Sequence, residues 1–251
     1  MRHASLSRRL LAEFVGTAML VAIVVGSGIA AAQLSADDVG LQLLESSIAT
    51  AFGLTALILM LGPASGAHFN PVVTAADWLL GRRAGTGISG GHLGGYAVAQ
   101  IAGGIAGAVL ANVMFDHQAW EISTRDRMSL GHFVGEVVAT AGLIAVIFAL
   151  ARTGQAAWSA AAVGAYIGAA YWFTSSTSFA NPAVTVGRIF SDTFAGIAPA
   201  SAPGFIAAQI IGALVGLALV VALYPDAARS ADDVVVPHQH ITAPAHRRRS
   251  P

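Results

Sequence analysis

An Asn-Pro pair occurs twice in this chain, in "SGAHFNPVVT" (residues 65–74) and in "SFANPAVTVG" (residues 178–187), each inside a long stretch without charge. The surroundings read as hydrocarbon-embedded: of 251 residues only 10% are charged and 55% are hydrophobic, against about 25% charged in soluble domains. Runs free of Asp, Glu, Lys and Arg cover residues 14–36, 46–76, 84–115, 137–151, 153–187 and 193–225, and several exceed the roughly 20 residues a spanning helix needs. Helix-breaking residues at such depth are tolerated only where the freed backbone lines a cavity or is buried in protein. The chain must therefore enclose something around these two points.

Six spans are predicted, at about 9–32, 41–62, 92–114, 130–151, 157–174 and 203–224. No cleavage pattern precedes the first, so it reads as a retained span. Every basic residue is Arg, and with the N-terminus inside, ten of them (Arg2, Arg8, Arg9, Arg82, Arg83, Arg152, Arg229 and Arg247 to Arg249) fall on the cytoplasmic side. Only Arg125, Arg127 and Arg188 face out, in keeping with the positive-inside rule. Residues 1–8 form a cytoplasmic segment, and 225–251, polar and bearing Pro, His and Arg, are expected to be a disordered cytoplasmic tail. Zero net charge gives no sign of a nucleic-acid partner, and the absence of Cys excludes disulfides and thiolate metal sites.

Internal repetition organises the rest. "AEFVGTAMLVAIV" (12–24) is echoed by "GEVVATAGLIAVI" (135–147), and "AQIAGGIAG" (99–107) by "AQIIGALVG" (208–216). The two Asn-Pro boxes fall in the same order between them. Repeat one spans about 9–114 and repeat two about 130–224, each with three spans. Three is odd, so the second repeat enters the bilayer from the opposite face. Inverted repeats place solute sites near the midplane where the halves meet.

Within each box, Asn stands where a helix would begin and Pro falls in its first turn, where a missing N–H costs nothing. Asn70 and Asn181 are predicted N-caps, their side-chain oxygens accepting a first-turn N–H and their NH2 donors left free for a pore. Residues 70–80 and 181–191 are too short to span at 1.5 Å per residue. They read as half-helices meeting at the middle, with Ser65 to His68 and Ser175 to Ala180 presenting carbonyls to two vestibules.

With these residues in place the chain resembles the major intrinsic protein (aquaporin and aquaglyceroporin) superfamily over about residues 8–224. The resemblance rests on the two boxes, Asn70-Pro71-Val72 and Asn181-Pro182-Ala183, on "SGAHFNP", and on the pairs Glu13 and Glu136, Gln100 and Gln209. It implies an all-α, aquaporin-like membrane protein with six transmembrane helices and two re-entrant half-helices. It also implies a homotetramer with one pore per subunit, passive conduction of small neutral solutes, and no catalytic residue, metal or cofactor. Glu13 and Glu136 are implied to scaffold the loops, and Gly66, Ala67 and His68 to line a vestibule. The setting implied is a bacterial-type inner membrane, multi-pass, with both termini cytoplasmic.

The family's outer selectivity positions map to Thr50, Ala169, Ser178 and Val184, with Phe52 the alternative to Thr50 if a two-residue gap is allowed. Val184 replaces the Arg that water channels carry after the second box, a pattern that resembles bacterial members linked to arsenic handling. A small, uncharged ring implies passage of solutes bulkier than water, such as glycerol, urea or arsenous acid. Arg188, one turn beyond Val184, could supply the missing guanidinium from a neighbouring level, but is expected rather to snorkel at the outer end of the second half-helix. The competing readings are a strict water channel and an ion-coupled secondary transporter. The transporter needs a coupling site, and no carboxylate pair remains once Glu13 and Glu136 scaffold the loops. No Gly-x-Ser-x-Gly or His-Glu-x-x-His pattern supports an enzyme.

Overall fold

The computed structural model describes residues 4–82 and 86–225. Arg2, Arg83, Arg229, Arg247 to Arg249 and nearly all of the predicted tail lie outside the described residues. Among those described, all regular structure is helical: α1 (Leu6–Leu34), α2 (Val39–Ser65), α3 (Pro71–Gly81), α4 (Gly90–Met114), α5 (Leu130–Arg152), α6 (Ser159–Phe173), α7 (Pro182–Gly187) and α8 (Ala202–Leu223). Short 3-10 turns at Ala156–Trp158 and Arg188–Phe190 precede α6 and follow α7.

The six predicted spans become α1, α2, α4, α5, α6 and α8. Five of these are long and apolar enough to cross a membrane. The exception, α6, has 15 residues, roughly 22 Å at 1.5 Å per residue; the preceding 3-10 turn adds about 6 Å at 2 Å per residue. The half-helices differ from each other. Helix α3 runs 11 residues, but α7 keeps only 6 in α form before it tightens at Arg188.

Packing repeats between halves. Helix α1 packs on α4 and α2, while α5 packs on α8 and α6; α3 leans on α4 and α8, α7 on α8 and α4, and α2 meets α6 across the junction. Exchanging α1 with α5, α2 with α6, α3 with α7 and α4 with α8 carries this contact scheme onto itself. Each half-helix thus touches the other repeat as well as its own, which ties the halves into one body.

Small residues make the main seams possible. Gly103 and Gly107 of α4 face the backbone carbonyls of Phe14 and Ala18, and a Cβ at either would collide with them. In the second repeat, a Cβ at Gly212 would come within 2.5 Å of the Val137 carbonyl oxygen, and one at Gly216 within 2.5 Å of that of Ala141. Without a hydrophobic force between helices in lipid, such close backbone approach supplies the dispersion contact that holds them together. Large apolar side chains such as Phe52, Leu59, Val98, Leu130 and Val221 are exposed on the outside. The protein is a multi-pass membrane protein, and this is the face it offers to its apolar surroundings.

Gly216→Ala should lower the thermal unfolding midpoint of the detergent-solubilised protein, since overpacking costs about 1–3 kcal/mol. Gly94→Ala meets nothing within 4 Å and should hold or raise it, by up to about 1 kcal/mol from helix propensity. Equal effects at both positions would contradict the close-seam account.

Candidate functional site

Both half-helices begin the same way. Asn70 and Asn181 are extended (φ −154°, ψ 118° and φ −158°, ψ 114°), each followed by Pro at the start of its helix. Asn70 Oδ1 accepts the Val72 N–H at 3.1 Å, and Asn181 Oδ1 accepts those of Ala183 at 2.9 Å and Val184 at 3.3 Å. The structure corrects one expectation, because the carboxamide donors are not both free. Asn70 Nδ2 donates to the Ala180 carbonyl at 2.8 Å, and Asn181 Nδ2 to the Phe69 carbonyl at 2.7 Å. The acceptors are the residues just before the opposite Asn, which carry carbonyls that no helix can satisfy. One N–H per carboxamide remains for anything between the two.

The loops entering these caps are strained in matching places. Ala67 and Phe69 have φ 49° and 49°, Ser178 and Ala180 51° and 49°. Left-handed backbone costs a non-glycine residue roughly 1–2 kcal/mol. Two buried carboxylates hold it there. Glu13 accepts Ser65 Oγ at 2.6 Å, His68 N–H at 3.0 Å, Phe69 N–H at 2.7 Å and Gln100 Nε2 at 2.7 Å. Glu136 accepts Phe179 N–H at 2.8 Å, Ala180 N–H at 2.9 Å and Gln209 Nε2 at 2.7 Å.

Each Gln also donates to a Thr hydroxyl, Gln100 to Thr74 and Gln209 to Thr185, and each Thr donates back to the carbonyl of its own Asn. The relay Glu–Gln–Thr–Asn is the same in both halves. Sequence reasoning missed Thr74 and Thr185, although "NPVVT" and "NPAVT" place a Thr four residues after each Asn.

Between the loops lies a cavity of about 50 Å³. Its lining brings the loop residues 67–70 and 178–181 together with the aliphatic side chains of Leu20, Leu54, Val73, Leu143, Ile147 and Ile167. Equivalent residues of the two repeats both line it, as Leu20 and Leu143 or Val73 and Val184 do. At one end His68 is buried, its Nδ1 3.2 Å from Thr74 Oγ1 and its ring 5.6 Å from that of Tyr96, with Gly66 turning the chain at φ 93° as α2 ends.

Toward the other end Thr50, Ser178 and Val184 line the cavity, whereas Phe52 is 72% exposed on the outside. Ala169 does not belong with them. It is exposed, because the inward stripe of α6 runs through Val163, Ile167 and Tyr171, the i, i+4, i+8 face of a helix. Tyr171 takes the place expected for Ala169, its hydroxyl 3.0 Å from that of Thr50.

Arg188 is the second correction. It is 4% exposed rather than snorkelling, and it lines the cavity. Four residues on from Val184 it falls on the same face. Its Nε donates to the Ala195 carbonyl, and its guanidinium lies 3.5 Å from the Phe179 ring centroid. The chain beyond α7 folds back over the helix end, with Asn112 Nδ2 satisfying the Phe190 carbonyl at 2.8 Å and Ser123 N–H that of Ile189 at 2.8 Å. The ring is therefore neither devoid of aromatics nor uncharged.

Comparison with known proteins follows the same lines. A sequence profile of the family described as Major intrinsic protein matches residues 1–178. The chain is 47% identical over 221 residues to "Aquaglyceroporin AqpS" of Rhizobium meliloti (strain 1021), covering 87% of this chain and 91% of that one. It is 34% identical over 174 residues to a "Glycerol uptake facilitator protein" of Pseudomonas aeruginosa, 60% of each chain. Among solved structures, the aquaglyceroporin from Plasmodium falciparum superposes with a TM-score of 0.60 at 21% identity, over 86% of this chain and 96% of that one.

Glu136→Gln turns one acceptor oxygen into a donor facing the Phe179 or Ala180 N–H. A stranded buried N–H costs about 1–3 kcal/mol, so the thermal midpoint should fall and solute flux in proteoliposomes should drop with it. Retention of both would show that the loops do not depend on this carboxylate.

Proposed function

Because the chain belongs to the major intrinsic protein family, and is accordingly a membrane channel for small neutral solutes rather than an enzyme, we propose that it conducts glycerol-sized polyols, urea and undissociated acids such as arsenous acid, together with water. The observation that carries this reading is the mixed lining of the cavity, loop residues beside aliphatic side chains. A polyol presents hydroxyls along one edge and carbon along the other. The residues at 67–70 and 178–181 offer carbonyls and the spare carboxamide donors of Asn70 and Asn181 to the first edge, and Leu20, Leu143 and Ile147 take the second. Val184 adds an apolar surface where an Arg would add up to five donors. Two relatives are named for glycerol or as an aquaglyceroporin.

Exclusion of ions has two sources. A bare ion must shed water in a cavity of about 50 Å³, at a cost of several kcal/mol. The half-helix N-termini each present roughly half a positive charge, which repels cations and interrupts a proton file. The arginine distribution supports both termini being cytoplasmic, with His68 toward the cytoplasm and Arg188 toward the outside, in an inner membrane. Exposed apolar faces support assembly as a homotetramer, as the family resemblance implies.

A strict water channel is the alternative closest to this one, and Tyr171 and Arg188 at the cavity favour it more than a ring of small residues would. An ion-coupled transporter is disfavoured by a specific observation: Glu13 and Glu136 are both engaged by their own loops, so neither stands open to a coupling ion.

Proteoliposomes challenged with water, glycerol, urea and arsenite should show gradient-driven flux of all four, insensitive to proton and sodium uncouplers. Fast water flux without the larger solutes would overturn the polyol reading. Val184→Arg should reduce glycerol flux at least severalfold while leaving the oligomer intact by size-exclusion chromatography; undiminished glycerol flux would remove Val184 from the constriction.

A further inference from the structure

Three cations converge beyond the cavity just described. Arg125, Arg127 and Arg188 line a second space of about 140 Å³ together with Tyr171, Thr177 and Phe194. Arg188 and Tyr171 line both spaces, so the second adjoins the first. Among the described residues no carboxylate lies within ion-pair distance of any of the three; the ion pair that does occur joins His117 and Glu121. The nearest acids in sequence are occupied elsewhere. Asp126 accepts Ser201 Oγ at 2.6 Å and the Met128 N–H at 3.0 Å, and Asp192 accepts the Thr124 N–H at 2.9 Å and its hydroxyl at 3.2 Å.

The three guanidiniums are not equally available. Arg127 donates to the carbonyls of Gly196 at 2.6 Å and Phe194 at 2.8 Å, and Arg188 donates to that of Ala195. Arg125 is exposed, and its guanidinium donates to no acceptor among the described residues, lying 5.4 Å from the Phe194 ring centroid. Burial first, and then the positive charges of the neighbouring Arg188 and Arg125, push the Arg127 guanidinium down to about 8, with Tyr171 and Glu136 acting the other way. Two cations are thus fixed by backbone carbonyls, and a third stands over the same space with its donors unspent.

We propose that this vestibule is a binding site for a small singly charged oxyanion, a carboxylate or a phosphonate, which Arg125 engages with its planar fork. Guanidinium donors match paired oxygens in a way that a spherical halide does not exploit. The anion itself does not pass, because it would have to shed its water in the cavity of about 50 Å³ beyond. A bound anion instead stands in the outer mouth, beside Tyr171 and Arg188, and slows neutral solute entering from that side. The last consequence rests on the channel reading above; the binding site does not.

The test uses the full-length protein in an uncharged detergent, titrated with methylphosphonate at a pH where it carries a single charge and followed by its phosphorus resonance. The expected result is saturable binding that acetate displaces and chloride at equal ionic strength does not. Arg125→Ala should weaken it about tenfold or more, as loss of a charge-assisted hydrogen bond does, and Arg125→Lys, which keeps the charge without the fork, should weaken it less. Each variant is checked for an unchanged thermal midpoint, and the Lys variant carries the test should the Ala variant unfold. Absence of saturable binding, equal affinity in the variants, or displacement by chloride as effective as by acetate would overturn the site. Binding as expected, with glycerol flux unaffected by external anion, would count against the channel's outer mouth lying here while leaving the site standing.

Discussion

Two hydrogen bonds crossing the centre of the molecule govern the rest of its structure. Asn70 and Asn181 each cap their own half-helix through the side-chain oxygen and hold the opposite loop through the nitrogen. A side chain that serves both must begin a helix and lie beside its counterpart at once, so the two N-termini abut. Bringing two partly positive helix ends together is repulsive, and the fold offsets this by placing a fully buried carboxylate behind each loop. Glu13 and Glu136 satisfy N–H groups that left-handed residues would otherwise strand, and Gln100 and Gln209 neutralise the remaining oxygen directions. Strain, caps and carboxylates therefore form one cooperative unit per repeat.

Function follows from what that unit leaves uncovered. Loops turned by alternating left-handed residues cannot bond their carbonyls internally, and the spare carboxamide N–H groups have no protein acceptor in view. Together they offer acceptors and donors to a narrow space that is otherwise lined largely by hydrocarbon. A neutral molecule with hydroxyls exchanges water for these groups at little cost. A cation meets the same carbonyls but must also climb the field of the two helix ends. In the proposed reading selectivity has its origin in the backbone, with the cavity-lining side chains of Thr50, Tyr171, Val184 and Arg188 adjusting size and polarity.

Much of this was legible in the sequence. The paired boxes, the Glu and Gln echoes and the uncharged runs located the repeats, both caps and all six long helices, because each depends on local chemistry or on spacing within one helix. What failed was angular register carried through a loop. The family position mapped to Ala169 is separated from Asn181 by a path containing three left-handed residues, Thr177, Ser178 and Ala180, and sequence distance says nothing of how such a segment turns. The 3.6-residue periodicity of α6 itself points to Tyr171. Arg188 was misjudged for a related reason: a charged residue near a helix end ordinarily reaches water, but here the chain folds back over that end and supplies the Ala195 carbonyl instead. Thr74 and Thr185 went unnoticed because a Thr in a helix needs no explanation until its partner is seen.

The claim that neutral molecules alone pass between the abutting helix ends is tested most directly by following three quantities in one vesicle preparation. Proteoliposomes carrying a potassium diffusion potential and an imposed pH gradient are exposed to a glycerol gradient, while volume, membrane potential and internal pH are recorded together. The account predicts rapid glycerol equilibration with the potential and the pH gradient decaying no faster than in protein-free vesicles. Accelerated collapse of either gradient alongside glycerol entry would contradict it.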